Sequence, residues 1–223
     1  MPVRLGWGDF HLRVMKRIVT FGFSPFLIPA SDSILLIVLN TVLQRYGGPG
    51  EGDTLVTCAT IVQSYLLLIT MPMGGITLGS QPVVSFNYGK GDAERIKKAI
   101  LCITGLCVSF CILMTIVTRT VSPVYVQLFT EDPEILSRSV TYIKRFTFMI
   151  IPLAVQYPLV DETTALGKVK LALFCSAFRK FVFLTGLILL PALLTADAAF
   201  FSEPVADVVS ATVTSCLFFH FFP

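Results

Sequence analysis

Six stretches of the chain are apolar for long enough to cross a lipid bilayer as helices. They cover about residues 21–43, 54–86, 99–118, 137–160, 171–194 and 204–222. Polar residues collect in the connections, and the pattern is one of long apolar runs rather than the ten-residue alternation of a membrane β-strand. Within hydrocarbon only helices and closed barrels satisfy their own backbone groups. The pattern therefore predicts an all-α, polytopic membrane protein of six transmembrane helices. The first stretch would be roughly 34 Å long at 1.5 Å per residue. Three stretches are less regular: the second breaks at Pro72-Met73-Gly74-Gly75, the fifth contains Arg179-Lys180, and the fourth is also untidy. Such spans are expected to be broken or to line a cavity.

Residues 1–20 precede the transmembrane lobe of residues 21–223. They form a mixed, basic segment with Leu12, Met15 and Val19 at helical spacing. A cytoplasmic linker or surface helix is expected there, with lipid binding by the basic cluster as the other reading. The segment lacks the apolar stretch and cleavage site of a secretory signal.

Composition agrees with the pattern. Of 223 residues, 54% are hydrophobic and only 14% charged, against about a quarter charged in soluble domains. The mean hydropathy is +0.79. Too few polar side chains remain to cover a soluble globule, which excludes a soluble enzyme, a nucleic-acid binder and a disordered chain.

The net charge of +3 is small, but its distribution orients the stack. Arg4, Arg13, Lys16 and Arg17 precede the first span. Lys90, Arg95, Lys97 and Lys98 follow the second, and Lys168 and Lys170 follow the fourth. These ten share one side, against Arg45, Arg119 and Arg138 on the other. Both termini are expected to be cytoplasmic, in a multi-pass protein of the cell (inner) membrane.

Neither His11 nor His220 has a partner for acid–base or nucleophilic chemistry, so no catalytic site is expected. Cys58, Cys102, Cys107, Cys111, Cys175 and Cys216 all lie in apolar runs and read as small packing residues. Cys107 and Cys111 share a helix face but lack the third ligand a metal would need.

The informative residues are polar ones at membrane depth. Asp32 lies near the middle of the first span, one and two turns after Pro29 and Pro25. A carboxylate desolvated there should either hold a proton or hold a cation, and both couple ion movement to something else. Its structural alternative is a hydrogen-bonded acid that packs the bundle. Asn40 falls two turns further along the same face. Gln63, Gln81 and Gln156 are intramembrane amides that could line a cavity or join helices. Asp161 and Glu162, at the end of the fourth span, read as solvated helix-end charges, with Asp161 kept as a cavity candidate. Lys144-Arg145 and Arg179-Lys180 could snorkel or line a polar cleft. Gly75-Ile76-Thr77-Leu78-Gly79 fits close helix packing better than phosphate binding.

One block is family-specific. Met71-Pro72 through Gly74, Gly79, Gln81-Pro82 and Asn87-Tyr88-Gly89, with Arg95 and Lys97-Lys98 following, resembles the multidrug and toxic compound extrusion (MATE) family. Ser24-Pro25-Phe26, Asn40, Tyr46-Gly47-Gly48, Gln156, Thr164-Ala165-Leu166-Gly167 and Pro204-Val205-Ala206-Asp207 are similar to that family in order. The resemblance implies a transporter of two six-helix lobes around a central cavity, exporting cationic or amphipathic drugs in exchange for Na+ or H+. It implies no other cofactor. This chain matches the second lobe, and Asp32 falls where many members carry a cation-coupling acid. A second acid of some branches would fall at Leu153 and is absent.

Two readings compete. The chain could supply half of an antiporter, pairing with a separate N-terminal lobe or a second copy of itself in the lipid bilayer. Alternatively, it is a truncated membrane fragment without transport of its own, as its two ends suggest. A lipid-linked flippase fits the helix count but not the Gln-Pro and Asn-Tyr-Gly block.

Overall fold

The computed structural model describes residues 11–222, with backbone alone for 17–18 and 20–29. Seven helices occur among them: α1 (Leu12–Gly47), α2 (Glu51–Lys90), α3 (Ala93–Gln127), α4 (Pro133–Phe146), α5 (Ile150–Ala165), α6 (Val169–Leu193) and α7 (Ser202–Phe221). A 3₁₀ segment, Ala196–Phe201, joins the last two. No strand occurs among the described residues. Four helical segments are long and apolar enough to cross a membrane: α2, α3, α6, and α7 with its 3₁₀ lead-in. The bent pair α4–α5 makes a fifth. The first expected span falls on α1, and the side chains of its opening residues, Pro25 and Pro29 among them, lie outside the described structure.

The helices are longer and more continuous than the sequence pattern suggests. α1 runs unbroken from Leu12 through the boundary expected at residue 20. The break expected in the second span is absent, because α2 continues for 40 residues with Pro72 and Pro82 inside it. If straight it would reach about 60 Å, twice the hydrocarbon thickness, so its ends lie outside that layer. α6 likewise passes through Arg179-Lys180 without interruption.

Only the fourth span is broken, with α4 and α5 meeting at 55°. The break spans 147–149, where the Ile150 N–H donates to the Thr147 carbonyl only three residues back at 3.3 Å, and Pro152 just beyond has no N–H to offer the Phe148 carbonyl. α4 starts sharply as well. Pro133 occupies its first turn, and Asp132 Oδ1 accepts from the Glu134 N–H at 2.8 Å.

α2 is the axis of the core. Leu55, Cys58, Val62, Tyr65, Ile69 and Met73 recur at helical spacing along one buried face. They pack with Leu39 and Leu43 of α1, Cys107 and Cys111 of α3, and Ile143, Phe146, Ile150 and Leu153 of α4 and α5. Four of the six cysteines are buried, as packing residues should be; Cys102 and Cys216 are exposed. The tight turn from α1 to α2 depends on glycine. Gly48 and Gly50 take φ of 72° and 87°, and Gly47 lies so close to Gly52 that a Cβ would sit 2.8 Å from its Cα. The Gly75–Gly79 pair behaves differently from expectation: a Cβ at either position meets nothing within 4 Å. Among the described residues these two glycines face open space, and Thr77 between them makes the contact of the stripe with α5.

Candidate functional site

Charges that lipid would exclude gather along one side of α6. Arg179 lies about 15 Å from the start of this 25-residue helix, so Arg179 and Lys180 sit near mid-membrane. The Arg179 guanidinium donates to Asp207 Oδ1 from Nε at 3.2 Å and from Nη2 at 2.9 Å, and Nη2 also donates to Glu203 Oε1. Glu203 and Asp207 are four residues apart in the first turns of α7, so both point the same way. They are 5% and 1% exposed. One arginine therefore bridges two buried acids and fastens α6 to α7.

Lys180 faces the other neighbour. Its Nζ lies 2.8 Å from Asp32 Oδ1 on α1, and the Asp32 side chain is 60% exposed. Taken together, two cations face three carboxylates, which leaves one acid in excess. This cluster opens on a cavity of about 520 Å³, whose other polar lining comes from Gln63, Thr70 and Tyr157.

Asp32, expected to hold a proton or a cation, is 60% exposed on the cavity, and the cation beside it is Lys180 of its own chain. Of the other sequence candidates, Gln63 lines the cavity while Asn40, Gln81, Gln156 and Asp161 do not. Gln156 is 2% exposed, and its Oε1 accepts from Ser210 Oγ at 2.9 Å, which joins α5 to α7. Gln81 donates from Nε2 to the Asp161 carbonyl at 3.4 Å. Asn40 is half-buried, and its Oδ1 is buried without a hydrogen-bond partner.

Asp161 and Glu162 are not solvated helix-end charges. Asp161 Oδ2 accepts from Thr77 Oγ1 at 2.6 Å, and Glu162 is fully buried with Oε1 2.9 Å from Ser80 Oγ. The burial follows from α5 packing its last turns against α2, where sequence position alone suggests a frayed end. Glu203 and Asp207 were missed as site residues. The available signal was charge balance: an arginine at mid-membrane needs acids at the same depth, and the next helix carries two on one face. Among the described residues, no group of three or more His, Cys, Asp or Glu is placed to hold a metal ion.

A sequence profile of the MatE family matches residues 30–194. Among solved structures, the chain is similar to an outward-facing multidrug-resistance MATE transporter of the MOP superfamily, with a TM-score of 0.86 at 18% identity. That match covers 99% of this chain and 49% of the other. An inward-facing form of such a transporter matches with a TM-score of 0.84 at 16% identity, over 96% of this chain and 49% of that one. A Pyrococcus furiosus MOP-superfamily transporter, described by the reversed polarity of its binding pocket, matches with a TM-score of 0.85 at 15% identity. It is covered for 48% of its length by 96% of this chain. The chain thus spans about half the length of these transporters. No curated protein matches it.

Proposed function

The chain belongs to the MatE family, and from that premise we propose that it is one six-helix lobe of a secondary antiporter. It exports cationic or amphipathic drugs in exchange for Na+ or H+, with α1 as the sixth span and both ends of the lobe on the cytoplasmic side of the cell membrane. The observation that carries this reading is the open, largely apolar cavity into which Asp32, Glu203, Arg179 and Lys180 project, with Asp207 behind them as a third carboxylate against two cations. A partner lobe, separately encoded or a second copy, completes the enclosure. The near-equal likeness to outward-facing and inward-facing transporters supports a lobe that moves as a unit against its partner.

The two ion-pair systems then divide the work. Glu203 and Asp207 are buried and both bonded to the half-buried Arg179, so the three fix the α6–α7 hairpin. In the Asp32–Lys180 pair the acid's side chain is 60% exposed and the lysine's 15%, so the acid is the partner open to the cavity. An incoming cation or proton can reach Asp32 from there and displace Lys180. That exchange is the coupling step assigned to Asp32.

The test is efflux in cells that co-express this chain with a MATE first lobe. Ethidium accumulation should fall, and Asp32→Asn should abolish the effect. Unchanged efflux in the variant would remove Asp32 from the coupling step. Absence of efflux with every first lobe and with the chain alone would leave a membrane-inserted fragment.

A further inference from the structure

We propose that Asp161 and Glu162 form a proton-binding site one helical turn from the wall of the cavity. The placement comes from α5. Tyr157 lines the cavity, and Asp161 lies four residues later on the same face. Across the interface, Gly74 also lines the cavity, and Thr77 follows it by three residues.

Counting hydrogens shows why a proton fits. Thr77 Oγ1 is 3.2 Å from the Gly74 carbonyl and 2.6 Å from Asp161 Oδ2. Ser80 Oγ is 2.8 Å from the Thr77 carbonyl and 2.9 Å from Glu162 Oε1. Each hydroxyl has one hydrogen and two acceptors, so with both acids ionised one contact of each hydroxyl lacks a hydrogen. A proton placed on Glu162 Oε1 donates to Ser80 Oγ, and the Ser80 hydrogen then serves the Thr77 carbonyl. On release, the Ser80 hydrogen turns back to the carboxylate. Asp161 and Thr77 form the same arrangement. A second feature of the site agrees: Glu162 is fully buried, and its Oε2 has no hydrogen-bond partner, although an ionised carboxylate needs donors at both oxygens.

Among the described residues, no cation pairs with either acid. α2 presents only Thr77, Ser80 and Gln81. Cys107 on α3 and Tyr157 on α5 are the titratable groups within electrostatic reach. Arg179 on α6 is engaged by Glu203 and Asp207 of α7, and Lys168 donates to the Phe221 carbonyl at 3.1 Å. The use of the site in antiport rests on the transport reading; its existence does not.

The test is infrared difference spectroscopy of the full chain in lipid nanodiscs across a pH titration. The wild type should show a titrating C=O stretch of a protonated carboxylic acid that is lost in the Asp161→Asn/Glu162→Gln variant. Ser80→Ala keeps both acids and should shift the band and its midpoint, which covers the case of a double variant that does not fold. A titration unchanged in every variant overturns the proposal. So does a band abolished by exchanging choline for Na+ at constant pH, which would make this a sodium site. A titrating band without efflux overturns the transport reading alone; efflux without the band overturns this site alone.

Discussion

Arg179→Met is the sharpest perturbation of this fold. It removes three hydrogen bonds and the only cation paired, among the described residues, with Glu203 and Asp207, which are 5% and 1% exposed. Breaking a buried ion pair from one side costs about 3–5 kcal/mol, because the remaining charge stays buried without compensation. At about 1.4 kcal/mol per factor of ten, the folded-to-unfolded ratio should drop by roughly two to three and a half orders of magnitude. Two acids depend on this single arginine, so the upper end of that range is expected. The assay is reversible unfolding of the purified chain in mixed micelles, followed by circular dichroism. The control is the triple variant Arg179→Met/Glu203→Gln/Asp207→Asn, which removes the charges together. It should recover most of the loss, since a neutral network avoids the desolvation of three ions. If the single variant is as stable as wild type, or the triple variant no better than the single, the buried triad is not what fastens α6 to α7.

Lys180→Gln should cost less stability than Arg179→Met, since it leaves one acid that is 60% exposed rather than two that are buried. The same variant should still alter the ion dependence of any efflux, so unfolding and transport assays on one preparation separate the two ion-pair systems. Gly47→Ala should destabilise the α1–α2 turn, because the new methyl would meet the Gly52 backbone at 2.8 Å. Gly79→Ala, with nothing within 4 Å, should leave the melting temperature of the isolated chain unchanged. Equal effects at the two glycines would refute the packing contrast.

The membrane class and the approximate position of each helix were legible in the apolar runs, because burial in lipid demands long uninterrupted hydrophobicity. Continuity was harder to read. Pro72 looks like a break, yet α2 absorbs it and Pro82 as well, while of the three untidy stretches only the fourth is broken, just before Pro152. A proline's effect depends on whether neighbouring helices resatisfy the freed carbonyls, and a single sequence does not show those neighbours.

The site was half legible for a related reason. Asp32, Gln63, Arg179 and Lys180 stand out as polar residues in apolar stretches, but polarity at depth does not reveal pairing. Asp32 and Lys180 are 148 positions apart, and only the contact of α1 with α6 brings them together. Glu203, Asp207 and Glu162 were passed over because each lies close to a helix end, where charge is normally solvated. Packing against a neighbouring helix buries those ends here, so the same acid changes from a solvated cap to a costly buried group. A net count over the paired helices is the better guide. Arg179 is balanced twice over, and Lys180 is balanced once. Among the described residues, no cation balances Asp161 and Glu162, which marks them as the places where a mobile positive charge has most to gain.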